Sequence, residues 1–454
     1  MEVRGSALFL CAMGLEIVSA LFGGASQANA VALMIVELAS LPLLFLAARQ
    51  LITGGAPRGA RWPLLLLTAT AAVPLLQLIP LPGGIWQRLP GREAATEALR
   101  LANFGDLAQP FSLAPEATWR SLLALAPPAA MFMGALVLTT AQKRLMALVW
   151  IALAAASLFL GALQMIAGAG SRLYFYSITN PGAAVGLFAN RNHHAAFVYA
   201  LVPFAAVFAA DLRRGVLDRR ALAPLLAAVF IPLAVIGVGA MNSRAGIVLM
   251  APALLGAMAV AFRIGGAGRK WIIAALVGGL SLLAVGFVVL FNLAPILERF
   301  HAMASSGDVR LDAWPTVLKA AAQVQPVGGG IGSFETLYRA SEPLAQVTPT
   351  YFNHAHNDYL EIWLEAGWVG VVLLAAFVAW LGGRVWRIWS ATNRSPEAGL
   401  AAAASLVPLL LLAHSVVDYP LRVEAIAVLF AFACATIATD GIRPQAPHRR
   451  SRGR

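Results

Sequence analysis

The sequence predicts an all-α polytopic membrane protein with about 12 transmembrane helices. Of its 454 residues, 60% are hydrophobic and only 12% are charged, whereas a soluble domain carries about 25% charged residues. Uncharged stretches recur along the chain, each near the ~20 residues that span a bilayer as a helix. Lys and Arg residues are concentrated in every second connection between these stretches, and therefore on one side of the membrane. This distribution indicates a fixed orientation in the membrane.

Hydropathy places twelve predicted spans along the chain. They lie near residues 6–22, 31–48, 63–79, 120–140, 146–168, 193–210, 222–240, 246–262, 271–293, 360–382, 398–417 and 423–440. The first segment also resembles a signal peptide, with Arg4 before an apolar core and a small-residue site at 28–30. Glu16 inside that core favours a transmembrane helix instead.

The distribution of basic residues predicts the orientation. Of the 33 Lys and Arg residues, 21 fall in short loops and termini on one side, which places both termini in the cytoplasm. Long loops at about 80–119, 169–192 and 294–359 then face outward. Residues 1–440 form one predicted transmembrane domain, and the basic tail 441–454 is predicted to be disordered in the cytoplasm. Topology thus accounts for the net charge of +12, and no nucleic-acid partner is implied.

The largest outer loop lies between the ninth and tenth spans and carries two structural signals. The spacing of its apolar residues predicts an amphipathic helix near 309–324, and a glycine-rich turn follows at 328–333. The two cysteines, Cys11 and Cys434, lie inside predicted spans, so no disulfide or cysteine metal site is expected.

Ionisable residues gather on the predicted outer side. Of the seven histidines, only His448 is cytoplasmic. The others are His193, His194, His301, His354, His356 and His414. Ionisable groups in or near a bilayer are costly, so a one-sided cluster indicates a functional site. The simpler interpretation is that loops are polar, but polar loops alone would not gather histidine on one side.

The segment NHAHNDYLEIWLEAGWVG at 353–370 is the strongest candidate for chemistry. Histidine can take a proton from a hydroxyl near neutral pH, and Asn357 or Asp358 could fix its tautomer or bind sugar hydroxyls. Helical spacing places the carboxylates of Asp358, Glu361 and Glu365 on one face. Two alternatives stay open. His354, His356 and Asp358 could hold a metal, or the histidines could only cap the helix and pack beneath a loop.

Three arginines of the outer side could bind a diphosphate. Arg191 lies in LFANRNHHAAF, Arg244 in MNSRAG and Arg310 in GDVRLDAW. The planar guanidinium forms bidentate, charge-assisted hydrogen bonds with phosphate oxygens. The alternative is that these arginines only anchor to lipid headgroups.

Together these segments resemble the O-antigen ligase and polysaccharide polymerase superfamily. The matching motifs, in chain order, are QLIPLP (77–82), SLAPEATW (112–119), F-x-N-R-N-H ending at 193, NSRAG (242–246), the R-x-x-x-W at 310–314, GGGIGSF (328–334), HNDYLEIWLEAGWVG (356–370) and HSVVDYPLR (414–422). The resemblance implies a GT-C-like helical fold in the bacterial inner membrane with a periplasmic active site. It also implies an undecaprenyl-diphosphate-linked oligosaccharide donor and no metal or other cofactor.

The same resemblance implies roles for individual residues. The histidine that activates the acceptor hydroxyl is carried over to His356, with His354 as second choice and Asp358 beside them. The arginines that bind the diphosphate are Arg191 and Arg244, with Arg310 as second choice. Further substrate contacts are expected from Asn192, His193, Asn357 and Glu361. Transfer would invert the anomeric carbon.

Members of the family differ in the acceptor that receives the glycan. Ligases transfer the glycan to lipid A-core, polymerases join it to another lipid-linked repeat, and relatives glycosylate protein. QLIPLP and SLAPEATW favour an exopolysaccharide polymerase. Membrane lipids and other polysaccharide assembly proteins are the remaining expected partners. A transporter or flippase is the alternative class, but transport predicts charges near the midplane and on broken helices.

Overall fold

The computed structural model describes residues 6–177, 179–209, 222–264, 309–344, 347, 352–393 and 395–439, and their regular secondary structure is almost all helix. The helices are α1 (Ala7–Phe22), α2 (Ala30–Gly54), α3 (Arg61–Gln77), α4 (Gly83–Trp86), α5 (Glu93–Leu101), α6 (Pro115–Leu123), α7 (Ala126–Val137), α8 (Thr140–Ala167), α9 (Arg191–Ala209), α10 (Leu222–Met241), α11 (Arg244–Ile264), α12 (Val309–Gln323), α13 (Phe334–Ser341), α14 (Asp358–Ser390), α15 (Pro396–His414) and α16 (Glu424–Thr439). Two short strands, β1 (Pro80–Leu81) and β2 (Gln109–Pro110), pair antiparallel. The predicted all-α class is confirmed.

Several helices are long and apolar enough to cross a membrane. Among the described residues seven qualify, and three shorter apolar helices accompany them. The chain is therefore a polytopic membrane protein, as predicted. The predicted ninth span at 271–293, His301 and the tail 441–454 lie outside the described residues, so the count of twelve spans stays a prediction.

The helix boundaries differ from the hydropathy prediction at the fourth span. The predicted segment 120–140 is divided between α6 and α7. Pro127 and Pro128 occupy the first turn of α7, where their missing N–H groups cost no hydrogen bond. The predicted helix near 309–324 is confirmed as α12.

Helix α9 lies at the centre of the bundle. All its residues from His193 to Phe208 are buried, mainly against α10, α11 and α15. Many of the packed residues are small. Gly246 of α11, for example, lies so close to Ala195 of α9 that an added Cβ would come within 2.7 Å of the Ala195 Cβ. Small residues let membrane helices approach closely and pack by van der Waals contact.

One end of the bundle is held by basic side chains. Arg263 at the end of α11 donates to the carbonyls of Ile388 (2.6 Å) and Ala391 (2.8 Å), which caps the end of α14. Lys143 at the start of α8 donates to Thr439 Oγ1 over 2.6 Å. These cations belong to the set predicted to face the cytoplasm.

The opposite end carries the candidate site, and we call it the polar end. It comprises the N-termini of α9, α11 and α14, the turn 415–423 and the turn 23–29 between α1 and α2. The turns are joined by backbone hydrogen bonds, since Gly24 O accepts from Ala189 N at 2.8 Å and Gly23 O accepts from Ala425 N at 3.1 Å.

The segment 80–119 forms a support beside the polar end. Its buried Arg92 donates to Phe111 O at 2.8 Å and to Gly328 O at 3.3 Å. Burial lowers the pKa of Arg92 to about 10, so the side chain stays a cation at neutral pH. Thr118 Oγ1 donates to Ile331 O at 2.6 Å, so the segment holds the glycine-rich turn from a second side.

Helix α14 is broken at Gly367, which has φ 56° and ψ −148°. The break frees backbone carbonyls that would otherwise accept hydrogen bonds within the helix. Gly329 N donates to Leu364 O and Gly330 N donates to Glu365 O, both at 2.9 Å. Trp368 N, beyond the break, donates to Pro326 O at 3.0 Å. The glycine-rich turn is thus docked on the broken helix, which fixes the first part of α14.

We expect Gly367→Ala to destabilise the protein. An added Cβ would lie 2.3 Å from Pro326 O, and only glycine adopts this backbone conformation without strain of about 1–3 kcal/mol. The matched control is Gly383→Ala in the same helix, where nothing lies within 4 Å of an added Cβ. Thermal melting of the two purified variants checks the expectation. Equal melting temperatures would contradict it.

Candidate active site

The first part of the candidate active site is an ionic cluster in which one arginine meets three carboxylates. Arg422 lies in the 3₁₀ turn Pro420–Arg422 between α15 and α16. Its Nε lies 3.2 Å from Asp358 Oδ1, its Nη1 3.2 Å from Glu361 Oε1, and its Nη2 3.0 Å from Glu365 Oε2. Burial lowers the pKa of Arg422, but the three carboxylates raise it to above its ordinary value, so the guanidinium stays charged.

The carboxylate of Glu361 also holds His354. His354 Nδ1 lies 2.7 Å from Glu361 Oε1, and Ala355 N donates to Glu361 Oε2 at 2.8 Å. A carboxylate accepts, so Nδ1 carries the proton and Nε2 carries the lone pair of a neutral ring. That lone pair faces the amide of Gln27, whose Nε2 lies 3.4 Å away. His354 is buried, with 6% of its surface exposed.

His356 has a different environment. Its backbone is left-handed (φ 50°), and its Nδ1 lies 3.1 Å from His354 O. A carbonyl only accepts, so Nδ1 carries the proton and Nε2 is the basic nitrogen of the neutral ring. The next residue, Asn357, caps α14 by accepting from Tyr359 N (3.0 Å) and Leu360 N (3.1 Å). The side chain of Asn357 thus has a structural task as the helix cap.

Tyr419 joins the histidines that the sequence singled out. Its ring centroid lies 4.2 Å from that of His354, 4.9 Å from that of His193 and 5.0 Å from that of His356. Asn353 Nδ2 donates to the Tyr419 hydroxyl at 3.5 Å. Residues from α9, from the segment before α14 and from the turn after α15 therefore meet around one aromatic ring.

A fourth carboxylate of the polar end, that of Asp418, contacts the start of α9. Asp418 Oδ2 accepts from Asn192 Nδ2 at 3.0 Å, and Asp418 Oδ1 lies 3.6 Å from His193 Nε2. Asn192 and His193 thus contact Asp418. Below them in the bundle, the Tyr199 hydroxyl lies 2.7 Å from His414 Nδ1, and both side chains are fully buried.

Arg191 and Arg244 are the first residues of two adjacent helices. The close approach of Gly246 to Ala195 brings the starts of α11 and α9 together at the polar end. Both arginines are half-buried. Helix N-termini carry positive partial charge that favours anions, which adds to the two guanidinium groups. The side chain of Arg310, in the first turn of α12, lies outside the described residues.

The loop before Arg191 is held by a buried histidine. His194 Nδ1 lies 3.0 Å from Ala184 O, and its Nε2 lies 2.8 Å from Ser157 Oγ. Ser157 Oγ in turn accepts from Leu187 N at 3.1 Å. His194 is fully buried, so it positions the loop rather than meeting a substrate.

Each side chain of the alternative metal site, His354, His356 and Asp358, has another partner in the structure. His354 Nδ1 faces Glu361, His356 Nδ1 faces a carbonyl, and Asp358 accepts from Arg422 and Ser415. Among the described residues, no group of three or more His, Cys, Asp or Glu side chains is placed to hold a metal ion.

Sequence reasoning assigned no role to three residues of the candidate active site, namely Asp418, Tyr419 and Arg422. The signal was present, because HSVVDYPLR places four polar side chains between two apolar helices. Hydropathy gives only the existence of this turn, whereas the contacts depend on how α15 and α16 pack against α14.

The fold and the cluster define a polytopic membrane protein with a polar, ionisable site at one end of its helix bundle. Residues 226–375, about a third of the chain, match the family model described as O-antigen ligase. The match supports membership of the O-antigen ligase and polymerase superfamily, so the predicted resemblance is confirmed. The matched range includes Arg244, His354, His356 and Glu361, while Arg191 and Arg422 lie outside it. No curated protein matches the chain.

Proposed function

We propose that the protein transfers a glycan from undecaprenyl diphosphate to an acceptor hydroxyl at the periplasmic face of the bacterial inner membrane. The proposal includes a GT-C-like fold and inverting chemistry without a metal or other cofactor. The family match supports the reaction class. The observation that carries the proposal is the meeting of His193, His354 and His356 around Tyr419, beside the helix that begins with Arg191.

His356 is the proposed general base. Its Nε2 takes the proton from the acceptor hydroxyl as that oxygen attacks the anomeric carbon. The bond between the anomeric carbon and the diphosphate oxygen breaks on the opposite face, which inverts the carbon. In this proposal His354 and Asp358 complete the catalytic segment, while Asn192, His193, Asn357 and Glu361 line it.

Arg191 and Arg244 are the proposed diphosphate ligands, with Arg310 as a further candidate. The leaving diphosphate gains negative charge as the bond breaks. Two preorganised cations at helix N-termini would stabilise that charge more in the transition state than in the ground state, and this difference is what accelerates the reaction.

The acceptor is the finer part of the proposal, and an exopolysaccharide polymerase is preferred to an O-antigen ligase acting on lipid A-core. A deletion strain tests the two. Loss of long surface polysaccharide with single repeats still made is the result expected of a polymerase, whereas long glycan that is unlinked to lipid A-core indicates a ligase. Unchanged surface polysaccharide would contradict both.

A further inference from the structure

The guanidinium of Arg422 is the one described cation that contacts three carboxylates at the polar end. Each of its three nitrogens lies within 3.2 Å of a different carboxylate of α14. Only 22% of its side chain is exposed, and the side chains of Glu361 and Glu365 are 0% and 1% exposed. Buried carboxylates on one helical face repel each other unless a cation lies between them.

The contact with Glu361 extends to both candidate histidines. Glu361 Oε1 lies 3.2 Å from Arg422 Nη1 and accepts from His354 Nδ1, while Glu361 Oε2 accepts from Ala355 N. His354 O in turn lies 3.1 Å from His356 Nδ1. A shift of the Glu361 carboxylate would therefore move the short segment that orients the His356 ring.

The other two carboxylates connect Arg422 to the surrounding segments. Asp358 Oδ2 accepts from Ser415 Oγ at 2.7 Å, at the end of α15. Glu365 Oε1 accepts from Gly332 N at 2.9 Å, in the glycine-rich turn. The arginine thus fixes the angle at which the start of α14 meets two neighbouring parts of the polar end.

We propose that Arg422 is a positioning residue of the transfer site, which acts through Glu361 on the segment that carries His354 and His356. This inference rests on the proposed function. Arg422 keeps Glu361 as a carboxylate of fixed orientation, and Glu361 holds His354 Nδ1 and Ala355 N. The histidines then meet the substrate in one geometry rather than in several.

Direct binding of the donor diphosphate by Arg422 is the competing role. The geometry opposes it, because the guanidinium already meets Asp358, Glu361 and Glu365. Three carboxylates also surround the position with negative charge, which repels a diphosphate. The two roles predict different kinetic effects. Loss of a donor ligand raises the KM of the donor and also lowers kcat, whereas loss of a positioning residue lowers kcat and leaves the donor KM nearly unchanged.

The kinetic test compares Arg422→Gln and Arg422→Lys with the wild-type protein. A charged hydrogen bond corresponds to roughly a ten- to hundredfold effect, so we expect Arg422→Gln to lower kcat by about that factor. Its donor KM should stay within about twofold. Lys keeps the charge but lacks the planar fork, so it should recover part of kcat. The matched control is Arg339→Gln in an exposed pair with Glu335, which should match wild type.

A double variant shows whether Arg422 acts through Glu361. If it does, Arg422→Gln combined with Glu361→Gln should be no slower than the slower single variant.

Hydrogen exchange supplies a readout that needs no substrate. Ala355 N–H donates to Glu361, so the peptide covering 352–357 should exchange faster in Arg422→Gln and, to a smaller extent, in Arg422→Lys.

Several outcomes would overturn the inference. A raised donor KM, with or without a lower kcat, would make Arg422 a donor ligand, and multiplicative effects in the double variant would separate it from Glu361. Unchanged exchange at 352–357 would refute the positioning role even if the protein transferred no glycan.

If Arg422→Gln does not fold, the same three measurements are made on Arg422→Lys: the kcat and donor KM, the double variant with Glu361→Gln, and hydrogen exchange at 352–357. Wild-type protein without transfer activity would contradict the proposed function, whereas active wild type with equally active Arg422 variants would contradict this inference alone.

Discussion

Replacing His356 by alanine should slow glycan transfer by about 10²–10⁴-fold, which is the usual cost of removing a general base. The Nδ1 of His356 faces the His354 carbonyl at 3.1 Å, so the neutral ring presents its lone pair at Nε2. Alanine offers no proton acceptor at that position. Transfer is measured with purified protein and a lipid-linked oligosaccharide donor, at a saturating donor concentration.

The backbone of His356 requires a second variant. Its φ of 50° lies in the left-handed region, where asparagine is tolerated better than alanine. His356→Asn therefore removes the imidazole with less backbone strain, and it should be about as slow as His356→Ala. Near wild-type transfer by His356→Asn would show that His356 is not the base.

The neighbouring Asn353 supplies the matched control for this experiment. Asn353 lies in the same segment, and its described contact is a 3.5 Å hydrogen bond to the Tyr419 hydroxyl. We expect Asn353→Ala to keep most of the activity. If it is as slow as His356→Ala, the loss reflects disorder of the whole segment rather than the loss of a base.

Hydropathy predicted most of the long apolar helices among the described residues, because each depends on a local run of apolar residues. The break at Gly367 was not predicted. Its sequence, AGWVG, continues an apolar run, and the break depends on amides of Gly329 and Gly330 that dock from a distant part of the chain. Loss of internal helix hydrogen bonds is tolerated only because these partners replace them.

The candidate site was predicted in part for a similar reason. Helical spacing alone placed Asp358, Glu361 and Glu365 on one face, and this arrangement is present in the structure. The cation that they share, Arg422, is separated from them in the sequence by the rest of α14 and by α15. Sequence reasoning quoted Arg422 only within the motif HSVVDYPLR and gave it no role, because its contacts depend on the packing of α15 and α16 against α14.

The second large effect is expected at Arg191 and Arg244, and it concerns the binding of the donor rather than the activation of the acceptor. Arg→Ala at either position should weaken donor binding and turnover by roughly ten- to a hundredfold, the value of one charged hydrogen bond. Both residues begin adjacent helices at the polar end. His356→Ala, by contrast, should leave donor binding nearly intact.

Lysine substitution, together with a control variant at an exposed arginine, distinguishes a diphosphate site from general attraction to lipid headgroups. Lys keeps the charge without the planar fork, so Arg→Lys should bind the donor more weakly than wild type and more tightly than Arg→Ala. The control is Arg172→Ala, which removes an exposed cation from the same predicted loop as Arg191. Binding is measured with an undecaprenyl diphosphate analogue and each purified variant.

Two outcomes would make Arg191 and Arg244 lipid anchors. Their variants could bind the analogue like wild type, or Arg172→Ala could weaken binding as much as they do. The diphosphate site would then lie elsewhere, and Arg310 would be the next residue to test.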